Sequence, residues 1–433
     1  MKILMMVLQF PPAHSGGAEM QCWKQAQALA ARGHEVTILT EWLMGGSPRR
    51  EIRDSVAIRR LGFFLPATTW MKRLHRWLRL KIAPPTADRP DPFSSDGFLS
   101  SETRQRKIRW MGVADWLGHA SFLLEAMAWV KIGRPGIDVV HVHESHWLAG
   151  FGQWVGERRR APVFCKEACG EVLLWKGGGA VPGVAQWRTR RDRCRFIAMT
   201  PHIRSELEKA GIASNRIWDV PNGVVMPDEA ARPQENGAAI YAGNFSQGAV
   251  YKAFDVLLKA WGLAHREEPR MRLRLFGGGG MERWKQVAER DGCGQSVEFA
   301  GKTDDLQREF MKSGFLVLPS RVEGLSNVLL EAQALGLPAV VSAIGGNVAV
   351  VKDGENGLVV PVDDAAALAT AMVRMHRSPD LRARLGQAAR ARAADTFAIE
   401  QVAARLEAAY RQAIAADAAG HAPRRFRRLI FGG

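Results

Sequence analysis

Glu323 and Glu331 bracket the segment EGLSNVLLE, which follows an apolar strand pattern, FLVLPS (315–320), and precedes ALGLPAVVS (334–342). In that setting two carboxylates flank a glycine-containing loop and the first turns of a helix. The first amides of a helix lack internal partners and the helix dipole is positive there, so such a loop is an anion site. One carboxylate before it and one after it suit a ligand with both hydroxyls and phosphates, of which a nucleotide-sugar is one.

Three other stretches carry residue types that can bind. SGGAE (15–19) places Gly16 and Gly17 at a strand-to-helix junction, where bare backbone amides can approach a phosphate or sugar. Lys252, in YAGNFSQGAVYKAFDVLLKAW (241–261), opens a helix after a glycine-bearing loop, where an ammonium can neutralise a diphosphate. The four glycines at 277–280 form a further loop suited to lie against a nucleotide. The chain has neither the dinucleotide G-x-G-x-x-G nor the phosphate loop G-x-x-x-x-G-K-[ST], so nicotinamide chemistry and P-loop phosphoryl transfer lose their usual support. His141 and His143, with Glu144, alternate at a strand end as zinc ligands can. No third ligand stands out, so no metal is expected, and His143 is instead the histidine placed for ligand contact.

These residues need a scaffold, and the hydrophobic pattern supplies one. KILMMVLQF reads as a buried strand, followed by a helix over about 19–32 and the strand EVTILTE; DVVHVH, APVFCKEA and RFIAMT continue the series. At WDVPNGVVMPDEAARPQENG the composition turns to Pro, Gly, Asn and acid, which marks a linker. Strands and helices then alternate afresh. The expected architecture is α/β: two doubly wound, Rossmann-like domains facing a cleft. Residues 1–220 make the first domain, 221–236 the linker and 237–395 the second. Residues 396–433 form a helix and basic tail that cross back to the first domain.

The 47% hydrophobic and 24% charged composition is that of a globular chain, and 433 residues exceed one core. No apolar run reaches the ~18 residues of a membrane span, and the N-terminal MKILMMVLQFPP reads as a strand rather than a signal peptide. Five scattered cysteines (Cys22, Cys165, Cys169, Cys194, Cys293) form no C-x-x-C pair, which suits reduced, cytoplasmic thiols. Charge is uneven. Residues 1–221 hold 33 Lys and Arg against 20 Asp and Glu, a net of +13, whereas residues 222–433 hold 27 against 24, a net of +3. An anionic partner of the first half follows. Within that half, an insertion over about 66–131 contains TWMKRLHRWLRLKI, where Trp70, Met71, Leu74, Trp77, Leu78 and Ile82 oppose Lys72, Arg73, Arg76 and Arg79, the pattern of a helix in a membrane interface or packed on its own domain. The run RTRRDRCR (188–195) reads as a solvated helix face, and HAPRRFRRLIFGG suits an anionic bilayer or an acidic acceptor. No nucleic-acid module is present, so no nucleic-acid partner is expected.

Taken in order, PPAHSGGAE, DVVHVH, VPNGV, YAGNF with YKAFDVLLKAW, LRLFGGG, VEFAGKTDDL and PSRVEGLSNVLLEAQALGLPAVVSAIGG with DGENGLVVP resemble the family-4 retaining glycosyltransferases of the GT-B fold. The likeness spans nearly the whole chain except about residues 45–131. It implies sugar transfer with retention and without a metal or other cofactor, from a UDP- or GDP-linked donor. Glu331 would bind the ribose, Glu323 a sugar hydroxyl, and Gly324, Leu325 and Ser326 the sugar and diphosphate through their amides. Lys252, Gly16 and Gly17 would meet the diphosphate, and the segment containing Thr303 the base. Glu323, Lys252 and His143 are thus the catalytic candidates. Three departures stand out: Asn244 replaces an arginine, with Arg321 as a substitute contact; Lys166 or Glu167 stands where many members have a cleft histidine; and Ala349 replaces a glutamate. The implied acceptor is a lipid-linked or phosphorylated glycan at the anionic inner face of the cytoplasmic membrane, in polysaccharide or lipopolysaccharide synthesis. A nucleotide-sugar isomerase and a catalytically inert nucleotide-sugar-binding protein are the alternatives.

Overall fold

The computed structural model describes residues 1–12, 16–43, 47–63, 65, 67, 70, 113–143, 147–167, 194–231, 237–245 and 250–421. The chain divides into two compact units. Met1–Ile197, Leu207–Trp218 and Ala403–Gly433 form one, and Ala198–Glu206 with Asp219–Val402 the other. Ala198–Glu206 thus groups with the second unit rather than the first. The cause is local: a Cβ on Gly345 would lie 2.5 Å from that of His202, so the glycine lets the two segments pack.

The first sheet and its helices run β1 (Lys2–Met6), α1 (Gly17–Ala31), β2 (Glu35–Glu41), β3 (Arg50–Arg53), β4 (Val56–Leu61), α2 (Val113–Ile132), β5 (Val139–Val142), α3 (Trp147–Arg159), β6 (Val163–Lys166), β7 (Arg195–Ala198) and β8 (Ile217–Asp219), with α4 (Pro201–Lys209) before β8 divided between the two units. The sheet has the order β3-β4-β2-β1-β5-β6-β7-β8. The pairings from β4 through β7 are parallel, and β3 is antiparallel to β4. An unbroken apolar run suits a strand covered on both faces, and Ile3, Leu4, Met5, Met6 and Val7 are all buried. Strand β1 lies between β2 and β5, so the connections leave it in opposite directions. Such a reversal opens a crevice at the carboxyl ends of the strands, where α/β sheets bind ligands. Gly16 and Gly17 follow β1, and His143 follows β5.

The second unit runs β9 (Ala238–Asn244), α5 (Phe254–Glu267), β10 (Leu273–Gly278), α6 (Met281–Arg290), β11 (Val297–Gly301), α7 (Leu306–Met311), β12 (Ser313–Leu318), α8 (Asn327–Leu335), β13 (Ala339–Ser342), α9 (Gly345–Val350), β14 (Gly357–Val360), α10 (Ala365–Arg377) and α11 (Pro379–Arg392), before α12 (Ile399–Ala416). All pairings in the order β11-β10-β9-β12-β13-β14 are parallel. Here β9 is flanked by β10 and β12, so the reversal falls where Asn244 ends β9 and the segment beginning at Ser320 leaves β12. Helix caps follow the residue types: Ser326, Asp364 and Ser378 each accept from an amide in the first turn of α8, α10 and α11.

Arg195 departs from the expected solvated helix face. It begins β7, is 8% exposed, and its guanidinium pairs with Asp417 at 2.6 Å. Burying a strand end in a parallel sheet requires such a partner for a cation. Residues 188–193 of that basic run, the tryptophan-rich segment from Met71 onward, Glu144, Cys169 and the last twelve residues lie outside the described residues. Among the described residues no helix is long and apolar enough to cross a membrane.

Candidate active site

In the second unit the loop after β12 holds the chemistry. Glu323 Oε1 accepts from Lys252 Nζ at 2.5 Å and from the Ser320 hydroxyl at 2.9 Å. Glu323 Oε2 has no protein partner among the described residues. Both side chains are mostly buried, at 17% exposed for Lys252 and 11% for Glu323, so the pair is shielded from solvent yet reachable. Backbone fixes the two loops together: the amides of Arg321 and Val322 point at the Tyr251 carbonyl, at 2.7 and 3.4 Å. Between Lys252 and α5, Ala253 takes φ +50°, a conformation that costs a non-glycine residue energy and recurs at functional loops. Tyr241 lies beneath. Its hydroxyl is buried without a partner among the described residues, and its acidity is suppressed by burial first and by the nearby Glu323 charge second.

The helix that follows is clamped at its start. Ser326 caps α8, Asn222 Nδ2 donates to the Leu325 carbonyl and to Asn327 Oδ1, both at 3.1 Å, and Leu325 and Ser326 are buried. Gly346, near the start of α9, lies against the Glu323–Gly324 backbone; a Cβ there would sit 2.5 Å from the Glu323 carbonyl oxygen and 2.7 Å from that of Gly324. Glu331 lies about one turn into α8 and is partly exposed. The glycine run 277–280 is used by the fold itself. Gly277 has φ +146°, and a Cβ there would overlap the Gly243 carbonyl, so the close approach of β10 to the end of β9 requires glycine.

In the first unit the strand ends gather a buried polar cluster. His143 follows β5, its amide bonded to the Met6 carbonyl, and its ring stacks on His141 with centroids 4.4 Å apart. His141 Nδ1 meets the Tyr410 hydroxyl at 2.6 Å, whereas neither ring nitrogen of His143 has a hydrogen-bond partner among the described residues. Burial, aided by the neighbouring Lys166 charge, holds both imidazoles well below their ordinary pKa and therefore neutral. Lys166 ends β6 and is itself buried, which pulls its ammonium down to about 7. Glu167 beside it is buried as well. Among the described residues no three His, Cys, Asp or Glu side chains gather as metal ligands.

Known proteins share this layout. A family model described as glycosyl transferase 4-like domain matches residues 16–223, and one described as glycosyl transferases group 1 matches residues 237–378. A D-inositol 3-phosphate glycosyltransferase of Streptomyces bingchenggensis is 30% identical over 317 residues, covering 65% of this chain and 68% of the relative. The chain belongs to the group 1 glycosyl transferases. Among solved structures, sucrose-phosphate synthase from Thermosynechococcus elongatus superposes with TM-score 0.71 at 20% identity, over 96% of this chain and 99% of that one. Anabaena HepE in complex with UDP gives TM-score 0.65 at 15% identity, over 95% and 100%. Two parallel-sheet, Rossmann-like units make this a GT-B glycosyltransferase.

The structure of this glycosyltransferase sorts the residues singled out in its sequence. Lys252, Glu323, Gly324, Leu325 and Ser326 come together at the switch point of the second sheet, with Asn244 at the exposed end of β9. Arg321 is engaged within the protein. Its guanidinium is held by both oxygens of Asp255 at 3.0 and 2.8 Å, by Asp363 at 2.6 Å and by the Val250 carbonyl, so it braces the Lys252 turn. The Thr303 hydroxyl accepts from the Asp305 amide at 3.1 Å and shapes its own turn. In the transferase's first unit, His143, Lys166 and Glu167 cluster at adjacent strand ends, while Gly16 caps α1 and Gly17 begins it. Ser320, Asn222, Asp255 and Gly346 went unnoticed in the sequence. The signal for them in the sequence is a polar or glycine residue near a strand end of an alternating fold.

Proposed function

We propose that this glycosyltransferase moves a sugar with retention, and without a metal, from a UDP- or GDP-linked nucleotide-sugar to a phosphorylated or lipid-linked glycan on the inner face of the cytoplasmic membrane. The observation that carries the reading is the Lys252–Glu323 pair at the mouth of the α8 helix start. An ammonium has three donors. One is engaged by Glu323, which leaves donors for the diphosphate, while Glu323 Oε2 remains for a sugar hydroxyl. As the bond to the sugar breaks, charge develops on the diphosphate, and a preorganised cation beside helix-end amides stabilises it. The departing phosphate oxygen takes the acceptor hydroxyl's proton on the same face, so the new bond forms where the old one broke. Glu331 is assigned to the ribose, the Thr303 segment to the base, and Gly16, Gly17, His143, Lys166 and Glu167 to ligand contact in the first unit.

UDP bound to the HepE structure and the phosphorylated compound in the Streptomyces relative's name support donor and acceptor classes. The net of +13 in the first half supports an anionic acceptor and membrane surface. Donor turnover should fall at least about a hundredfold in Lys252→Ala, the size of loss seen when one oxyanion donor is removed, and donor affinity should fall in Glu331→Ala. NMR of the product should show the donor's anomeric configuration in the presence of EDTA. Wild-type rates in both variants would overturn the site, and an inverted product would overturn the mechanism.

A further inference from the structure

The edge of the first sheet holds a cavity of about 690 Å³ whose lining includes none of the residues assigned to the transfer reaction. Arg49, Arg50, Arg59 and Arg60 line it, with Glu125 and Trp129 on the α2 side. Two of these cations have acidic partners. Arg49 pairs with Glu125 at 2.5 Å, and the same carboxylate accepts the Gly62 amide at 2.7 Å. Arg60 is 2% exposed and is consumed by Glu51 and by the carbonyls of Pro48 and Pro11. Arg50 and Arg59 are different. They sit directly opposite each other in the antiparallel β3–β4 ladder, and among the described residues neither meets a carboxylate.

Like charges placed opposite across a ladder destabilise a sheet. Here the cost is aggravated by partial burial of Arg59, whose acidity is raised by burial first and then by Arg50 and Arg49. The Arg59 guanidinium also lies 4.8 Å from the Trp129 ring centroid, a cation–π contact on the α2 side of the cavity. Two guanidiniums on facing ladder positions, neither bound to a carboxylate among the described residues, match a tetrahedral dianion, since each offers a planar fork of N–H donors to phosphate oxygens. The volume exceeds what one phosphate fills, and Trp129 gives it an apolar wall.

We propose that this cavity binds a phosphate- or pyrophosphate-bearing ligand, held between Arg50 and Arg59. The inference stands apart from the donor site and does not depend on the transfer mechanism. A free phosphorylated compound and a lipid headgroup share this chemistry, and two probes separate them. Calorimetry with inorganic pyrophosphate, and sedimentation with phosphatidic acid vesicles against phosphatidylcholine vesicles, should be run on the wild type, on Arg50→Gln/Arg59→Gln and on Lys252→Ala. A pyrophosphate signal kept in Lys252→Ala and weakened at least about tenfold in the double variant supports the site with a soluble ligand. Phosphatidic acid binding weakened equally by the double variant supports it with a headgroup. Binding of both probes at wild-type strength in the double variant, or no binding of either by the wild type, overturns it. Melting guards against misfolding: without anion the double variant should melt at or above the wild-type temperature, because a repulsion has been removed. Pyrophosphate should raise the melting temperature of the wild type and of Lys252→Ala, and raise that of the double variant less.

Discussion

At the scale of single residues, charge is tolerated where a partner or a neutral form is within reach. Lys252 is held against Glu323, whereas burial pulls the Lys166 ammonium down to about 7. A lysine whose folded pKa is about 7 against about 10.5 unfolded binds fewer protons when folded between those values, so stability rises with pH across that window. Lys166→Met should therefore raise the melting temperature at pH 7 and below, and the gain should shrink toward zero by about pH 10.5. A gain independent of pH would show that packing, and not desolvated charge, sets the effect. His141 and His143 act in the same direction at lower pH. Kept neutral in the fold, they favour the unfolded state once pH falls below about 6.5. Exchanging His143 for Gln should blunt that acid-side loss, as read from urea midpoints at pH 5 and pH 8.

At the scale of elements, the site depends on loops that rigid strand ends hold in contact. Gly346 is the clearest case, since α9 begins against the Glu323–Gly324 backbone with no room for a methyl group. Gly346→Ala should push that loop outward and cost about 1–3 kcal/mol, the usual penalty for overpacking. Donor affinity should drop more than the melting temperature does; an unchanged donor affinity would show that the loop's position does not govern binding. Much of this arrangement was legible beforehand. The apolar runs around β1, β5, β9 and β12 announced parallel strands, and EGLSNVLLE could be placed after a strand because Pro319 and Ser320 end the run. What pattern could not show was who meets whom. Arg321 looked available for a diphosphate, because nothing in a one-dimensional chain says that Asp255, sixty-six residues away, takes it in two hydrogen bonds. Arg195 misled for the opposite reason. A run of arginines reads as solvated until a distant Asp417 allows one of them to be buried.

At the scale of the whole molecule, both chain ends build the first unit. Ala403 onward groups with Met1–Ile197, and the buried face of α12 presents Ala403, Leu406, Ala409, Tyr410 and Ala413. Tyr410 meets Phe164 with ring centroids 5.1 Å apart and bonds to His141, while Glu407 accepts from Arg32 of α1 and from Arg411. Those two hydrogen bonds, Arg411's first, draw the Glu407 carboxyl down to about 2. A carboxyl depressed in the fold stabilises it above its unfolded pKa of about 4.3, and that contribution disappears as pH falls toward 2. Glu407→Gln should therefore lower the melting temperature at pH 7 and leave it nearly unchanged at pH 2. Tyr410→Ala should cost about 3–5 kcal/mol at every pH, as loss of a buried aromatic does. Hydrogen exchange tells where each loss is felt. Amides of β5 and β6 should lose protection in both variants while those of β12 and β13 keep theirs, because α12 secures the first sheet from a segment that the chain reaches only after completing the second. Equal loss in both sheets would mean that the two units unfold as one.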